Sequence, residues 1–564
     1  MRVLGVNSVY HELAAALVVD GEVVAAAEEE RFNRRKHGAA AAVDNADELP
    51  REAIRWCLDA GGIGPGVLDA VCFSFDPELR RRQFRPDAYA PEGGWGHPRG
   101  EARFLASLER VPVAISELLG ADVTERFHWV PHHLAHAASA YYPSGFDDAA
   151  ILVVDGIGEY ASATIGRANG TRIEALEHVD FPHSLGFLWE KLSTFLGFSE
   201  YDACKVMGLA AYGDPDAMRS QLGRIVFLDN GGFRVDPDVL QYRRPEPAGL
   251  AAVLGPPRPT LGRREADIAA ALQAATDDAV MALARTAHRM HPSAALCMAG
   301  GVGLNCHTNW VVKQDGPFDQ VYIPPAPHDA GTAVGAALHH FHATRPDAPV
   351  RSRRGVAGNA FLGPAFDRRR IERALHGRDL SVTRTPRIER EAARLLTEGK
   401  VVAWFQDRME FGPRALGHRS LLADPRDPGI REVLNRKVKH REPFRPFAPS
   451  VLRERADDWF VLGGFSDSYA FMSFAAAVRQ ERLGQIPAVV HADGTARLQL
   501  VDRDLNPRFH ELIAEFDRRT GVPMVLNTSF NDSEPIVCTP EDAVATLLGT
   551  GIDALAIGDY LAKR

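Results

Sequence analysis

No C-x-x-C pair occurs in this chain, and its six cysteines (57, 72, 204, 297, 306 and 538) are scattered singly along 564 residues. That spacing excludes a structural zinc knuckle and offers no disulfide framework. Positive charge is not in excess either. Lys and Arg number 65 against 74 Asp and Glu, for a formal charge of −9, which argues against a nucleic-acid surface because phosphate binding needs a basic excess or patch. No run reaches the ~18 apolar residues of a membrane-spanning helix. The opening "MRVLGVNSVY" reads as a strand, not as a charged n-region followed by an apolar stretch. The expectation is a soluble, cytoplasmic protein with no nucleic-acid or membrane partner. Lysine is scarce, eight residues against fifty-seven arginines, so a lysine inside a motif stands out.

What is present begins with a repeated grammar. "MRVLGVN", "LAAALVVDG" and "EVVAAAEEE" are three apolar runs, the last two joined by Asp20-Gly21 as a tight hairpin turn. The pattern returns as "AAILVVDGIGE", "YASATIGRANG" and "TRIEALEHV" between residues 149 and 179. A pattern repeated at this distance suggests two similar lobes facing one another. The actin-like ATPase superfamily has that architecture, with ligands held in the cleft between lobes. Helical periodicity marks 51–60 and 102–120, whereas 228–262 is proline-rich and reads as an irregular excursion. The polar stretch 344–357 reads as a linker. Beyond it a second unit opens with a helix over 389–399 and a strand over 400–406. The expected division is 1–355 and 356–564.

"PHHLAHAASAYY" (131–142) carries three histidines in an apolar helical run. Spacing of i and i+4 puts His132 and His136 on one helix face, where two imidazoles can share a metal; His133 points about 100° away. From this pair alone, histidines packed in a core are the commoner outcome. Asp155 ends the strand "ILVVD" before glycines, and Asp329 lies where "PPAPHD" runs into a small-residue helix. Each aspartate could equally be a turn or N-cap residue. Together the four form a His2Asp2 set suited to iron, manganese, zinc or magnesium. "AGGVGLN" (299–305) is a glycine-rich turn after an apolar strand, a candidate nucleotide contact through Gly300, Gly301 and Asn305.

Nine strings occur in order: "HELAAALVVDG", "EEERFNRRKH", "HHLAHAASAYY", "VVDGIGE", "KVMGLAAYG", "AGGVGLN", "GPRALGHRS", "RPFAPSVL" and "NTSFN". The set resembles the NodU/CmcH family of O-carbamoyltransferases. The resemblance spans residues 11 to about 537, although Ser533 stands where many relatives have glycine. It implies an α/β (α+β) chain: a duplicated actin-like (ASKHA, ribonuclease H-like) N-terminal domain, similar to the tRNA threonylcarbamoyl-transferase, plus a YrdC-like C-terminal α/β domain. It implies that carbamoyl phosphate and Mg-ATP yield carbamoyladenylate, whose carbamoyl group passes to a hydroxyl of a natural-product acceptor such as an antibiotic sugar or polyketide. It also implies a divalent metal, Fe2+ first and Mn2+, Zn2+ or Mg2+ as alternatives, on His132, His136, Asp155 and Asp329. His11 is then the candidate general base.

The C-terminal half must gather anions, and its motifs are cationic. "FGPRALGHRS" supplies Arg414 and Arg419; "NRKVKHREPFRPFAPS" supplies Lys437, Lys439, Arg441 and Arg445. Arginine forks match phosphate oxygens, and lysine acts as a compact charge. Charge alone would suggest a solvated face. The interleaved prolines and aromatics argue against one. Lys439 and Arg414 are the catalytic candidates here, and Arg445, Arg497, Asn527 and Ser529 are candidate nucleotide or carbamoyl phosphate contacts. The rivals are a tRNA threonylcarbamoyl-type transferase, another actin-like phosphotransferase, and a non-catalytic nucleotide-dependent scaffold.

Overall fold

The computed structural model describes residues 1–37, 42–350, 359–464 and 466–564, with Lys437 described by its backbone alone. Of the expected linker, Thr344 ends the helix Ala330–Thr344, while 351–357 and the division after 355 lie outside the described residues. The chain forms two compact units, Met1–Asn33 with His37–Gly358 and Arg34–Lys36 with Asn359–Arg564.

In the first unit, β1 (Arg2–Asn7), β2 (Ala14–Val19), β3 (Glu22–Glu28), β4 (Ala70–Phe73) and β5 (Phe127–Trp129) form one sheet, ordered β3-β2-β1-β4-β5. β1, β2 and β3 are antiparallel neighbours, while β4 and β5 add in parallel. Asp20 and Gly21 both take positive φ, 49° and 84°, as the expected hairpin requires. A second sheet repeats the plan. β6 (Asp148–Val154), β7 (Ala161–Asn169) and β8 (Arg172–Asp180) are antiparallel, and β11 (Ala295–Ala299) and β12 (Gln320–Tyr322) follow β6 in parallel. Its order, β12-β11-β6-β7-β8, is the first order again. This duplicated ribonuclease H-like plan is the actin-like fold. The central strands β1, β6 and β11 are almost wholly buried, so they read as continuous apolar runs rather than alternating ones.

Two helices lie between these sheets. His132–Ser144 follows β5 yet packs against β6 and β11, and Ala330–Thr344 follows β12 yet packs against β1 and β2. The helices touch where a Cβ on Gly335 would fall 1.8 Å from Ala135 O; only glycine permits that approach. Elsewhere, the expected helix over 102–120 divides into Pro98–Glu109 and Val111–Leu119, because Pro112 cannot supply the N–H that a continuous helix needs. The 228–262 stretch is less irregular than expected: β9 (Val226–Asp229) pairs with β10 (Gly232–Val235), and short helices Pro237–Leu240 and Ala248–Leu254 follow.

The second unit holds an eight-stranded mixed sheet and a three-stranded one. Its helix Ile388–Thr397 and strand Val402–Phe405 match the expected start of the unit. No described helix is long and apolar enough to cross a membrane.

Candidate metal centre

His132–Ser144 begins directly after Pro131, and every residue in it except Leu134 is buried. The i, i+4 spacing brings His132 Nε2 and His136 Nε2 to 3.2 Å of each other. Asp155 Oδ2 lies 3.4 Å from His132 Nε2 and 3.6 Å from His136 Nε2, and Asp329 Oδ1 lies 3.6 Å from both. All four donor atoms fall within 4.8 Å of one another. Metal–ligand bonds of about 2.0–2.2 Å put the corners of a tetrahedron about 3.3–3.6 Å apart, so these separations fit one shared ion. The donor chemistry, two imidazoles and two carboxylates, suits a divalent metal.

The surroundings hold each donor in place. Ser74 O can only accept, so His132 Nδ1, 3.0 Å away, donates to it and Nε2 is left to face the nest. Glu159 Oε1 accepts from His132 N and Asp76 N, each at 2.8 Å, fixing the start of the helix. Asp155 Oδ1 accepts from Gly301 N at 2.8 Å, leaving Oδ2 for the histidines. The glycine turn, expected to meet nucleotide, therefore anchors a candidate metal carboxylate. Gly300 takes φ of 94°, and a Cβ there would lie 2.2 Å from Val154 O. We expect Gly300→Ala to shift this anchor and weaken metal binding by about 10–100-fold, as for other outer partners of ligands, read by metal titration of the purified variant. Asn305, expected beside nucleotide, has partners within the protein. Its side chain caps the helix Cys306–Asp315 through Thr308 N and bonds Gln273, so it is spent on structure.

Burial alone would depress these imidazoles and raise these carboxyls. Their mutual attraction outweighs it: His132 is raised well above its ordinary 6.5, and His136 is also raised. Asp155 falls well below 3.8, and Asp329 falls too, helped by His11. The raised imidazoles stabilise the chelated fold fully below 6.5 and lose that contribution as pH rises through their folded values. The depressed carboxyls contribute above 3.8 and lose it as pH falls through theirs. A metal must displace the imidazole protons, so its stabilisation grows with pH. The Tm difference between metal-loaded and chelated protein is expected to widen from about pH 5.5 to about pH 8; a constant difference would contradict this set of ligands.

His11 stands beside the nest. Asn7 Nδ2 donates to the carbonyls of His11 and Glu12, both at 3.1 Å, and Tyr10 and Glu12 take positive φ in this loop. His11 Nδ1 reaches to 3.9 Å from Asp329 Oδ2, the oxygen opposite the one facing the histidine pair. His133 turns away, its Nδ1 2.7 Å from Thr164 Oγ1, and burial pushes it down to about 3.

Two family models match the chain, "Carbamoyltransferase N-terminus" over residues 2–338 and "Carbamoyltransferase C-terminus" over 393–564. The chain belongs to the carbamoyltransferase family. An uncharacterised protein of Synechocystis is 36% identical, aligned over all of this chain and 97% of its own length. The nodulation protein NolNO of Sinorhizobium fredii is 37% identical over 99% of this chain and 80% of its own. Nodulation protein NolO of Bradyrhizobium diazoefficiens is 38% identical over 77% and 78%. Among solved structures, component A of the (R)-2-hydroxyglutaryl-CoA dehydratase of Acidaminococcus fermentans covers 61% of this chain with 99% of its own, at 14% identity and a TM-score of 0.34. At that level the fold assignment rests on the strand order above.

In the second unit of this carbamoyltransferase, sequence candidates separate into distinct roles. Lys439 is buried, and its Nζ donates to Ser529 Oγ at 3.1 Å and Asn531 O at 2.9 Å, with Ser529 O and Asn531 Oδ1 also in contact. Burial, then Arg441, Arg445 and Lys36, holds its amine well below the usual lysine range. Lys439, Ser529 and Arg445 are thus brought together. Arg414 and Arg497 are half-buried. Asn527 departs from expectation: it is 1% exposed and its amide donates to Ala415 O, Ser450 Oγ and Gln499 Oε1, inside the sheet. Arg419, also read as an anion ligand, is fully buried and donates to the carbonyls of Gln406, His418, Pro364 and Asp407.

Sequence reasoning gave no role to Glu159, although it stands four residues after Asp155 in "VVDGIGE". It also passed over Ser74, which carries no local signal.

Proposed function

We propose that this protein is an ATP-dependent O-carbamoyltransferase that draws carbamoyladenylate from carbamoyl phosphate and ATP and transfers its carbamoyl group to a hydroxyl of a small natural product. The observation that carries the reading is the His2Asp2 nest with a fifth polar group, His11, aimed at it from the side of Asp329 Oδ2. A divalent metal held by His132, His136, Asp155 and Asp329 would supply Lewis-acid polarisation of a carbonyl or phosphate oxygen.

The chain's own groups do the rest. An alcohol is a poor nucleophile at neutral pH, and His11 takes its proton as the oxygen attacks the carbamoyl carbon. The bond to the adenylate oxygen breaks with its electron pair, so AMP leaves. Asp329 Oδ2, 3.9 Å from His11 Nδ1, stabilises the imidazolium that forms. In the second unit, Arg441, Arg445 and Lys36 bring positive charge suited to phosphate oxygens beside Lys439, whose own amine burial and that charge hold low.

The test is a mass-spectrometric screen for a gain of one carbamoyl group across hydroxylated small molecules, with ATP and carbamoyl phosphate supplied, alongside elemental analysis of the purified protein. Pyrophosphate release that depends on carbamoyl phosphate and needs no RNA is expected. Absence of that release, or transfer that persists after metal removal, would defeat the reading.

A further inference from the structure

One arrangement beside His11 has no part in the chemistry above. The helix Leu185–Phe195 starts at the loop that carries Asp155: Ser184 Oγ donates to Gly156 O at 2.7 Å, and a Cβ on Gly186 would fall 2.7 Å from Gly156 Cα. Glu190, four residues further, lies on the same helix face as Gly186. It is half-buried, and its Oε2 accepts a hydrogen bond from Tyr242 Oη. Its Oε1 has no hydrogen-bond partner among the described residues.

The walls around this carboxylate are aromatic. Tyr242 stacks on Phe187 with centroids 3.9 Å apart and planes 8° from parallel. The Arg243 guanidinium lies 4.9 Å from the Tyr242 centroid and 5.1 Å from that of Phe187. Tyr201 meets His11 edge-on at 5.9 Å. Burial pushes the Glu190 carboxyl up to about 7, opposed by the Tyr242 hydroxyl and by the His11 imidazole, which shares its field. Tyr242 and Arg243 belong to 228–262, the stretch that no sequence motif explained.

We propose that Glu190, clamped by Tyr242, is an acceptor-positioning residue whose open Oε1 receives a hydrogen bond from a hydroxyl or amine next to the hydroxyl that is carbamoylated. The inference rests on the carbamoyl-transfer reading. Its logic is one of donors and acceptors. The Tyr242 proton is spent on Oε2, and at a pH well above 7 the carboxyl is ionised, so that Oε1 can only accept. The acceptor's neighbouring group must therefore donate. A methoxy, keto or deoxy neighbour cannot, and leaves Oε1 of a half-buried carboxylate unpaired.

The probes are cis-1,2-cyclohexanediol and cis-2-methoxycyclohexanol, given at a pH well above 7 to the whole metal-loaded chain with ATP and carbamoyl phosphate. The wild-type protein is expected to favour the diol by at least about tenfold in kcat/KM, carried mostly by KM, because one hydrogen bond to a charged group is at stake. Glu190→Ala should bring the ratio of the two alcohols close to one, and Tyr242→Phe should lower it part of the way. Each ratio is measured within one preparation, so a loss of folded protein cancels. A wild-type ratio near one, or full preference retained in Glu190→Ala, overturns the inference alone. Failure of the wild-type protein to carbamoylate either alcohol counts against the functional reading, and this inference falls with it.

Discussion

Substitution of His136 by alanine is expected to strip the metal and to lower carbamoyl transfer by about a hundredfold or more, beyond the range seen when only an outer partner of a ligand is lost. The reason is geometric. His136 Nε2 takes part in three of the five measured edges of the nest: 3.2 Å to His132, 3.6 Å to Asp155 and 3.6 Å to Asp329. Without it, two buried carboxylates face one imidazole, and negative charge is left in excess. His133→Ala, on the same helix and one residue after His132, is the matched control. His133 bonds Thr164 and points away from the nest, so its variant should retain the metal. Elemental analysis and transfer assays on both variants decide the matter. Equal metal content in the His136→Ala and wild-type proteins would refute the ligand assignment.

Arg419→Ala should destabilise the second unit by about 3–5 kcal/mol, the cost of breaking a buried charge arrangement by removing one partner. Arg419 is fully buried, and burial pushes its guanidinium down to about 10. It donates to four backbone carbonyls and lies 3.6 Å over the Phe405 ring. Its buried neighbour Glu410 accepts from the backbone N–H groups of Leu416, His418 and Arg419, at 2.8, 2.8 and 3.1 Å. Removing the Arg419 side chain strands the four carbonyls and takes from Glu410 the positive charge that faces it, while the backbone bonds to Glu410 remain. The expected Tm fall is on the order of 10 °C, read by calorimetry. An unchanged Tm with a raised KM for ATP or carbamoyl phosphate would instead restore the anion-binding role that the motif suggested.

The contrast between these two side chains shows how far local pattern reaches. The i, i+4 histidines were legible because helix geometry alone puts them on one face, whatever surrounds the helix. The Asp20-Gly21 turn and the repeated strand grammar were legible for the same reason: both depend on neighbours in sequence. "FGPRALGHRS" supplied two arginines of equal apparent promise, yet one is half-buried and the other sealed beneath four carbonyls. Asn305 and Asn527 likewise have partners inside the protein that no motif announces. An amide can meet a phosphate or a buried Gln273 or Gln499, and only the packing decides which.

Sequence by itself therefore determined the duplicated lobes, the two histidines on one helix face and the order of motifs that marks a carbamoyltransferase. Tertiary structure alone decided that Asp155 and Asp329, 174 positions apart, converge on those histidines. It also decided that the glycine turn holds Asp155, and that Tyr242 bonds a Glu190 whose charge is felt at His11. The physical reason is that metal geometry, burial and hydrogen-bond saturation are set by side chains distant in sequence, whose approach is fixed by sheet order and by close helix contacts such as Gly335 on Ala135.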